Sequence, residues 1–197
     1  MRSRIYRCMT TVACAIFLAG AVVAAAGEGP VQRALKRLES PTTSTSGASE
    51  VIRLARSNPK DLRYVARQVS PIIRRGPGGG VVWASAVSVA GALRLAEASG
   101  VLAKWIDAEW GPGTVTLGQT ARLEDRPAAM ALKEIGGPAI PAVLQVLKGG
   151  NESERCEAIF VLDGFHSAAA KKALTQHEPA EHSRELRDLI RRTLASW

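Results

Sequence analysis

The segment covering residues 128–174 repeats itself after 30 residues, and this internal repeat constrains the fold more than any other feature of the chain. Identical residues recur at that offset in four pairs: Ala128 with Ala158, Leu132 with Leu162, Ala139 with Ala169, and Leu144 with Leu174. Three more pairs stay apolar: Met130 with Phe160, Ala131 with Val161, and Ile135 with Phe165. Repeats of roughly 20 to 50 residues are typical of stacked architectures, because each unit buries its apolar face against the next. The sequence therefore predicts an all-α fold, an α-solenoid of stacked helix pairs.

The sequence of the repeat resembles the short bacterial HEAT-like repeat. Residues 128–144 read AAMALKEIGGPAIPAVL, which is similar to that family's pattern of A-A-x-A-L-x-x-I-G, a small turn, and P-A-[LV]-[LI]. The polar stretch from Asn151 to Arg155 resembles the family's turn into the next helix. The resemblance covers residues 126–165 best and extends back to about residue 83 and forward to the C-terminus. It implies four or five helix pairs and a protein-binding scaffold. One branch of the family resembles bilin-chromophore lyases, which implies an enzyme as an alternative.

Residues 1–26 have the pattern of a signal peptide. Arg2, Arg4 and Arg7 precede an uncharged run over residues 8–26, and three alanines end it before Gly27. Small residues at that position are typical of a cleavage site. The alternative is an uncleaved membrane anchor, since about 18 uncharged residues can span a bilayer. Either way the remaining chain lies outside the cytoplasm, which predicts a periplasmic or secreted protein, or a membrane-anchored one.

Charge and cysteine content narrow the function classes. The chain has 26 basic and 18 acidic residues, and loss of the three N-terminal arginines leaves a net charge of +5. This excess favours anionic partners or a membrane surface, or is an ordinary solvated surface, and export argues against nucleic-acid binding. Cys8 and Cys14 lie in the signal segment, so the mature chain keeps Cys156 alone and forms no internal disulfide. Cys156 is interpreted either as a thiol activated by a helix N-terminus or as a small packing residue.

The mature chain divides into two parts. Residues 27–48 are predicted as a short amphipathic lead-in followed by a Ser/Thr-rich linker, and residues 49–197 as the helical repeat domain, with Ser49 as the first N-cap. Pro71 is expected to kink or end the second helix. Residues 81–97 are apolar on most faces, which predicts a central helix with Trp83 in the core. Trp197 is expected to pack down on the terminal repeat.

An insertion is the best candidate for a binding site. Leu93 aligns with Leu132, and Trp105 with Leu144, at an offset of 39, so nine extra residues fall within residues 110–123. Insertions in solenoids form loops on one face, often the binding face. The predicted partner-binding residues are Trp110, Thr114, Leu117, Gln119 and Arg122. The alternative is a tolerated surface insertion with Trp110 folded back on the core.

No catalytic, cofactor-binding or metal-binding residues are predicted. Asp163 and His166 stand three residues apart, but a structural zinc site needs about four ligands. The glycines of residues 76–80 lack the Lys-Ser/Thr pair of a phosphate loop. The sequence therefore predicts a non-catalytic protein-interaction scaffold of the cell envelope or periplasm, whose partner is another protein. A bilin-lyase-like enzyme that handles a chromophore or small molecule, and a membrane-tethered structural protein, are the alternatives.

Overall fold

The computed structural model describes residues 28–110 and 126–197, and this part of the chain is all-helical, without strands. The predicted all-α class is therefore confirmed there. The α-helices are α1 (Pro30–Glu39), α2 (Ser44–Ser57), α3 (Leu62–Arg74), α4 (Gly80–Ala92), α5 (Ser99–Leu102), α6 (Pro127–Ile135), α7 (Ile140–Gly149), α8 (Glu152–Gly164), α9 (Ala168–His177) and α10 (Arg184–Ala195).

The helices contact one another in a regular order. Consecutive helices pack in pairs: α1 on α2, α3 on α4, α5 on α6, α7 on α8, and α9 on α10. Every second helix is also in contact, so that α2, α4, α6, α8 and α10 form one series and α3, α5, α7 and α9 another. One hydrophobic cluster contains buried residues from each of these helices. Packing therefore follows the order of the chain.

Helix α4 is buried on nearly all sides, as the sequence predicts, although it ends at Ala92 rather than near residue 97. Trp83 is fully buried, and its indole N–H donates to the carbonyl of Ile73 at 3.2 Å. Gly91 brings α4 close to α6, because a Cβ there would lie 3.0 Å from the Cα of Ala131. The apolar composition of α4 is thus explained by neighbours on several faces.

In the first helix of each repeat unit, α6 and α8, residues 30 positions apart are buried alike. Ala128 and Leu132 of α6 are fully buried, and so are their counterparts Ala158 and Leu162 of α8. Each helix is followed by a left-handed residue, Gly136 with φ of 78° and His166 with φ of 42°, also 30 residues apart. The repeat detected in the sequence therefore has a structural counterpart in α6 and α8.

In the second helix of each repeat unit, α7 and α9, residues 30 positions apart are not buried alike. Ala139 is fully buried but Ala169 is exposed, and Leu174 is more deeply buried than Leu144. The reason lies in the preceding turn. A 3₁₀ turn, Gly137–Ala139, comes before α7, whereas Ser167 caps α9 directly and starts it two residues earlier in the repeat.

The turn geometry favours an offset of 42 over the predicted offset of 39 for the preceding unit. The left-handed residue Arg94, with φ of 52°, follows α4, and Gly136 follows α6. At an offset of 42, the fully buried Ala86 and Ala90 correspond to Ala128 and Leu132. The unit that contains residues 111–125 is therefore longer, relative to the next one, than the sequence alignment suggests.

The predicted linker is wrong over its second half, since α2 begins at Ser44 and not near Ser49. Helix α1 buries its apolar face, as its amphipathic pattern predicts, and packs directly on α2. Ser44 is fully buried, and Gly47 lies against the backbone of Leu38. The small residues that suggested a flexible segment instead allow two helices to approach closely.

Gly47→Ala is expected to destabilise the protein by about 2 kcal/mol, as overpacking of a tight contact does. A Cβ at this position would lie 2.4 Å from the backbone N of Leu38 and 2.7 Å from the carbonyl carbon of Arg37, so α1 must move. The free energy of unfolding from urea titration measures the effect. Gly100→Ala is the control, because no heavy atom lies within 4 Å of a Cβ there. A Gly47→Ala variant as stable as the Gly100→Ala variant contradicts the prediction.

Two expectations about single residues have different outcomes. Helix α3 continues through Pro71 to Arg74, so the proline does not end it. The expected packing of Trp197 is confirmed: it lies against the core, and its indole N–H donates to Asp163 Oδ1 at 2.6 Å.

The predicted signal segment lies outside the described residues. Among the helices of residues 28–110 and 126–197, none has the length and apolar character required to cross a membrane.

Candidate interaction groove

A groove of about 430 Å³ opens between α5, α7 and the start of α8. Its walls are made mainly by small residues, and longer polar side chains stand at its rim. The lining residues are Gly100 of α5, Ala103 and Lys104 just after it, Ala142, Gln145, Val146 and Gly149 of α7, Gly150 before α8, and Glu154 in the first turn of α8. The small residues leave backbone and short side chains exposed to the groove, so its surface is largely apolar.

The turn between α7 and α8 fixes one end of the groove. Asn151 caps α8 by accepting the N–H of Glu154 at 3.0 Å, and Glu154 accepts the N–H of Asn151 at 2.7 Å. This capping box satisfies two backbone donors at once. Gly150 is required beside it, since a Cβ would lie 2.8 Å from the carbonyl oxygen of Val146. The Glu154 carboxylate is therefore held in place by the helix terminus.

Of the predicted partner-binding residues, Trp110 alone belongs to the described part of the chain. Thr114, Leu117, Gln119 and Arg122 lie outside it. The Trp110 ring is 36% exposed and meets Trp83 edge-on, with 6.3 Å between ring centroids. It also lies over Gly80, the first residue of α4. Trp110 thus combines the two interpretations of the sequence: it folds back on the core and keeps a third of its surface in solvent.

The glycine-rich turn before α4 makes room for a tryptophan. Gly76 has φ of 80°, and a Cβ there would lie 2.5 Å from the ring of Trp105. Residues with an ordinary side chain rarely adopt this backbone conformation. The turn Pro77–Gly79 is a 3₁₀ segment. Close packing against Trp105 is therefore the physical reason for glycine at position 76.

Arg126 and Glu157 form a nearly buried ion pair between the start of α6 and α8. Their side chains are 13% and 6% exposed, and a second carboxylate, Glu109, lies 3.6 Å from the Arg126 guanidinium. Cys156 is half-buried nearby. Burial raises the pKa of the Cys156 thiol, although Arg126 acts in the opposite direction. The raised pKa favours the neutral thiol and argues against the interpretation of Cys156 as an activated thiol.

A second charged cluster joins the last three helices. Arg155 of α8 donates two hydrogen bonds of 3.0 Å to the buried Glu181 and one of 2.9 Å to the carbonyl of Gly150. The His177 ring lies 3.2 Å from the same carboxylate, which also accepts the N–H of Ser183 at 2.9 Å. Burial raises the pKa of Glu181, but these hydrogen bonds, with that of Arg155 the strongest, outweigh it and lower the pKa to about 2. Glu181 therefore carries a negative charge and holds the loop between α9 and α10 to α8.

Asp163 and His166 do not share a helix face, because α8 ends at Gly164 and His166 follows it in the left-handed conformation. Both residues instead contact the C-terminal Trp197. Asp163 accepts the Trp197 N–H, and the His166 ring lies 5.7 Å from the Trp197 ring. Within the described ranges, His, Cys, Asp and Glu residues do not gather in groups of three or more that could hold a metal ion.

Local sequence patterns do not predict the groove. Lys104 and Gln145, which are exposed at its rim, belong to helices that do not adjoin in sequence. The sequence contains a weak signal for it: Ala142 and Gln145 are three residues apart, which places both on one face of α7.

The described chain is thus defined as an all-α protein of packed helices with a groove of small residues. Comparison with protein families, curated proteins and solved structures yields no match to this chain.

Proposed function

We propose that this protein is a non-catalytic scaffold of the cell envelope or periplasm, built as a solenoid of HEAT-like helix pairs, and that it binds another protein. The two series of alternating helix contacts and the left-handed residues after α4, α6 and α8 support a repeated unit. Repeat proteins recognise partners on surfaces that run across successive units. The export expected from residues 1–26 places this activity outside the cytoplasm.

The observation that carries the proposal is the groove between α5, α7 and α8. It spans elements of two helix pairs, α5 with α6 and α7 with α8, so its shape depends on how the pairs stack. Its walls are apolar at Ala103, Ala142 and Val146, while Lys104 and Glu154 supply one charge of each sign at the rim. An apolar centre with a polar rim is typical of protein-binding surfaces.

An enzyme similar to bilin lyases requires an acidic residue or a histidine free to act in a pocket. Among the residues that line the groove the acidic one is Glu154, and its carboxylate is engaged by the backbone of Asn151. The histidines of the described chain lie elsewhere. These observations favour binding over catalysis, and we retain the scaffold as the proposed function.

Site-specific photo-crosslinking tests this proposal. A benzophenone amino acid replaces Gln145 at the groove in the full chain, or Gln176 on the exposed face of α9 as the control, and cell-envelope material is irradiated. We expect one discrete protein adduct from position 145 and none from position 176. Ala142→Trp, which fills the groove, is expected to reduce the adduct at least tenfold, whereas Ala168→Trp on exposed α9 leaves it unchanged.

Other crosslinking results would contradict the scaffold proposal or support its alternative. Adducts of equal yield from both positions, or none from position 145, contradict the scaffold at this groove. A purified full-length protein that carries a visible absorbance band and forms no protein adduct supports the chromophore-handling alternative instead.

A further inference from the structure

The positive charge of the chain is concentrated in its first three described helices. Residues 28–75, which contain α1, α2 and α3, have ten Lys and Arg and four Asp and Glu. Residues 126–197, which contain α6 to α10, have ten basic and nine acidic residues. The two ends therefore differ sharply in charge, although the excess over the whole mature chain is small.

Four of these ten basic residues lie on one side of α3 and at its C-terminal end. Arg63, Arg67 and Arg74 lie within about 40° of one another around the helix, at 100° per residue, and span about 16 Å along it. Arg75 and Tyr64 extend the same exposed side, and Tyr64 is 37% exposed. The opposite side is the buried one, and it consists of Val65, Ala66, Val69, Ile72 and Ile73. We refer to Arg63, Tyr64, Arg67, Arg74 and Arg75 as the basic face of α3.

The arginines of the basic face are not neutralised within the described part of the chain. Carboxylates of the described residues pair with other basic groups: Glu28 with Lys36, Glu50 with Arg37, Glu157 with Arg126, Glu181 with Arg155, and Glu178 with Arg191. None of them lies within 4 Å of a guanidinium on the basic face. Asp61, the acid nearest in sequence, accepts a hydrogen bond from Asn58. Four like charges held on one rigid helix attract an extended anionic surface.

We propose that the basic face of α3 rests on an anionic lipid bilayer. Arginine side chains around an aromatic ring with a polar tip suit the headgroup region, where guanidinium groups meet phosphates and the ring enters the boundary of the acyl chains. The location agrees with this partner, because the basic helices follow the uncharged run of residues 8–26, which is predicted to bring this end of the chain to the membrane during export. The basic face involves none of the residues that line the groove, so the inference is independent of the partner proposed there.

Vesicle flotation of the full-length protein tests the inference. Vesicles of phosphatidylcholine alone are compared with vesicles containing 30% phosphatidylglycerol, and the N-terminal segment with Arg2, Arg4 and Arg7 is the same in the wild type and in every variant. We expect the wild type to prefer the anionic vesicles, and expect 0.5 M salt to abolish the preference because exposed charges are screened. The variant Arg63→Gln/Arg67→Gln/Arg74→Gln/Arg75→Gln is expected to lose about a hundredfold in that preference, since each basic residue near an anionic surface contributes several-fold.

The matched control removes the same number of charges at the other end of the chain. Lys171→Gln/Lys172→Gln/Arg184→Gln/Arg192→Gln changes exposed residues of α9 and α10 and is expected to keep the preference of the wild type to within a few-fold. Circular dichroism establishes that both variants fold. Equal losses in the two variants, or no preference in the wild type, overturn the inference. Binding to a single-stranded oligonucleotide or to polyglutamate that the α3 variant loses, without any lipid preference, assigns the basic face to another anionic partner and also overturns it.

Discussion

Trp83→Ala is expected to lower the free energy of unfolding by about 4 kcal/mol, the loss typical of deleting a large buried aromatic side chain. Trp83 is fully buried in α4, donates its N–H to the end of α3, and supports the ring of Trp110. Removing it opens a cavity where α3, α4 and the chain after α5 meet. A domain of this size is stable by about 5–15 kcal/mol, so much of the folded population is lost on warming. Denaturant unfolding followed by far-UV circular dichroism measures the change.

Two companion variants separate the causes. Trp83→Phe keeps most of the volume and loses the hydrogen bond, whose acceptor, the Ile73 carbonyl, still receives the N–H of Gly76 at 3.0 Å. We expect it to cost about 1–2 kcal/mol. Trp110→Ala removes a ring that is one-third exposed and is expected to cost about 1 kcal/mol. If Trp83→Ala costs no more than Trp110→Ala, Trp83 is not the packing centre that the structure describes.

Glu181→Gln is expected to destabilise the protein by about 3 kcal/mol at neutral pH, because it leaves Arg155 without its buried partner. The pKa of Glu181 in the folded protein, about 2, lies below its ordinary value of 4.5. A proton therefore binds the unfolded chain more tightly than the folded one. The stabilisation from this carboxylate is complete above about pH 5 and is lost as the pH falls from there towards 2. Unfolding free energies of wild type and variant, measured from pH 7 to pH 3, are expected to converge.

A surface carboxylate provides the control for this pH dependence. Glu39→Gln, at the exposed end of α1, is expected to parallel the wild type across the same range. A constant difference between wild type and Glu181→Gln from pH 7 to pH 3 would show that the charge of Glu181 does not contribute through Arg155 and His177.

The sequence predicted the helical class and the first half of the repeat for a clear physical reason. Ala128 and Ala158, or Leu132 and Leu162, occupy the same face of corresponding helices, so burial selects the same residue types and the pattern is visible without coordinates. Burial of Trp83 is predicted in the same way, since an uncharged helix has no polar face to expose to solvent. The second half was harder, because a single 3₁₀ turn before α7 changes which residues face the core.

What the sequence by itself determined is therefore which segments are helical and which of their faces are apolar, since both follow from local periodicity. The tertiary structure alone decided how closely the helices approach and which distant side chains meet. Gly47 and Gly76 lie in sequences typical of flexible segments, yet they are small because Leu38 and Trp105 lie against them. The groove and the Arg155–Glu181 pair, separated by 26 residues, arise where helices from different units meet. Such contacts depend on the stacking of whole helices, and local sequence patterns carry no information about the distance between them.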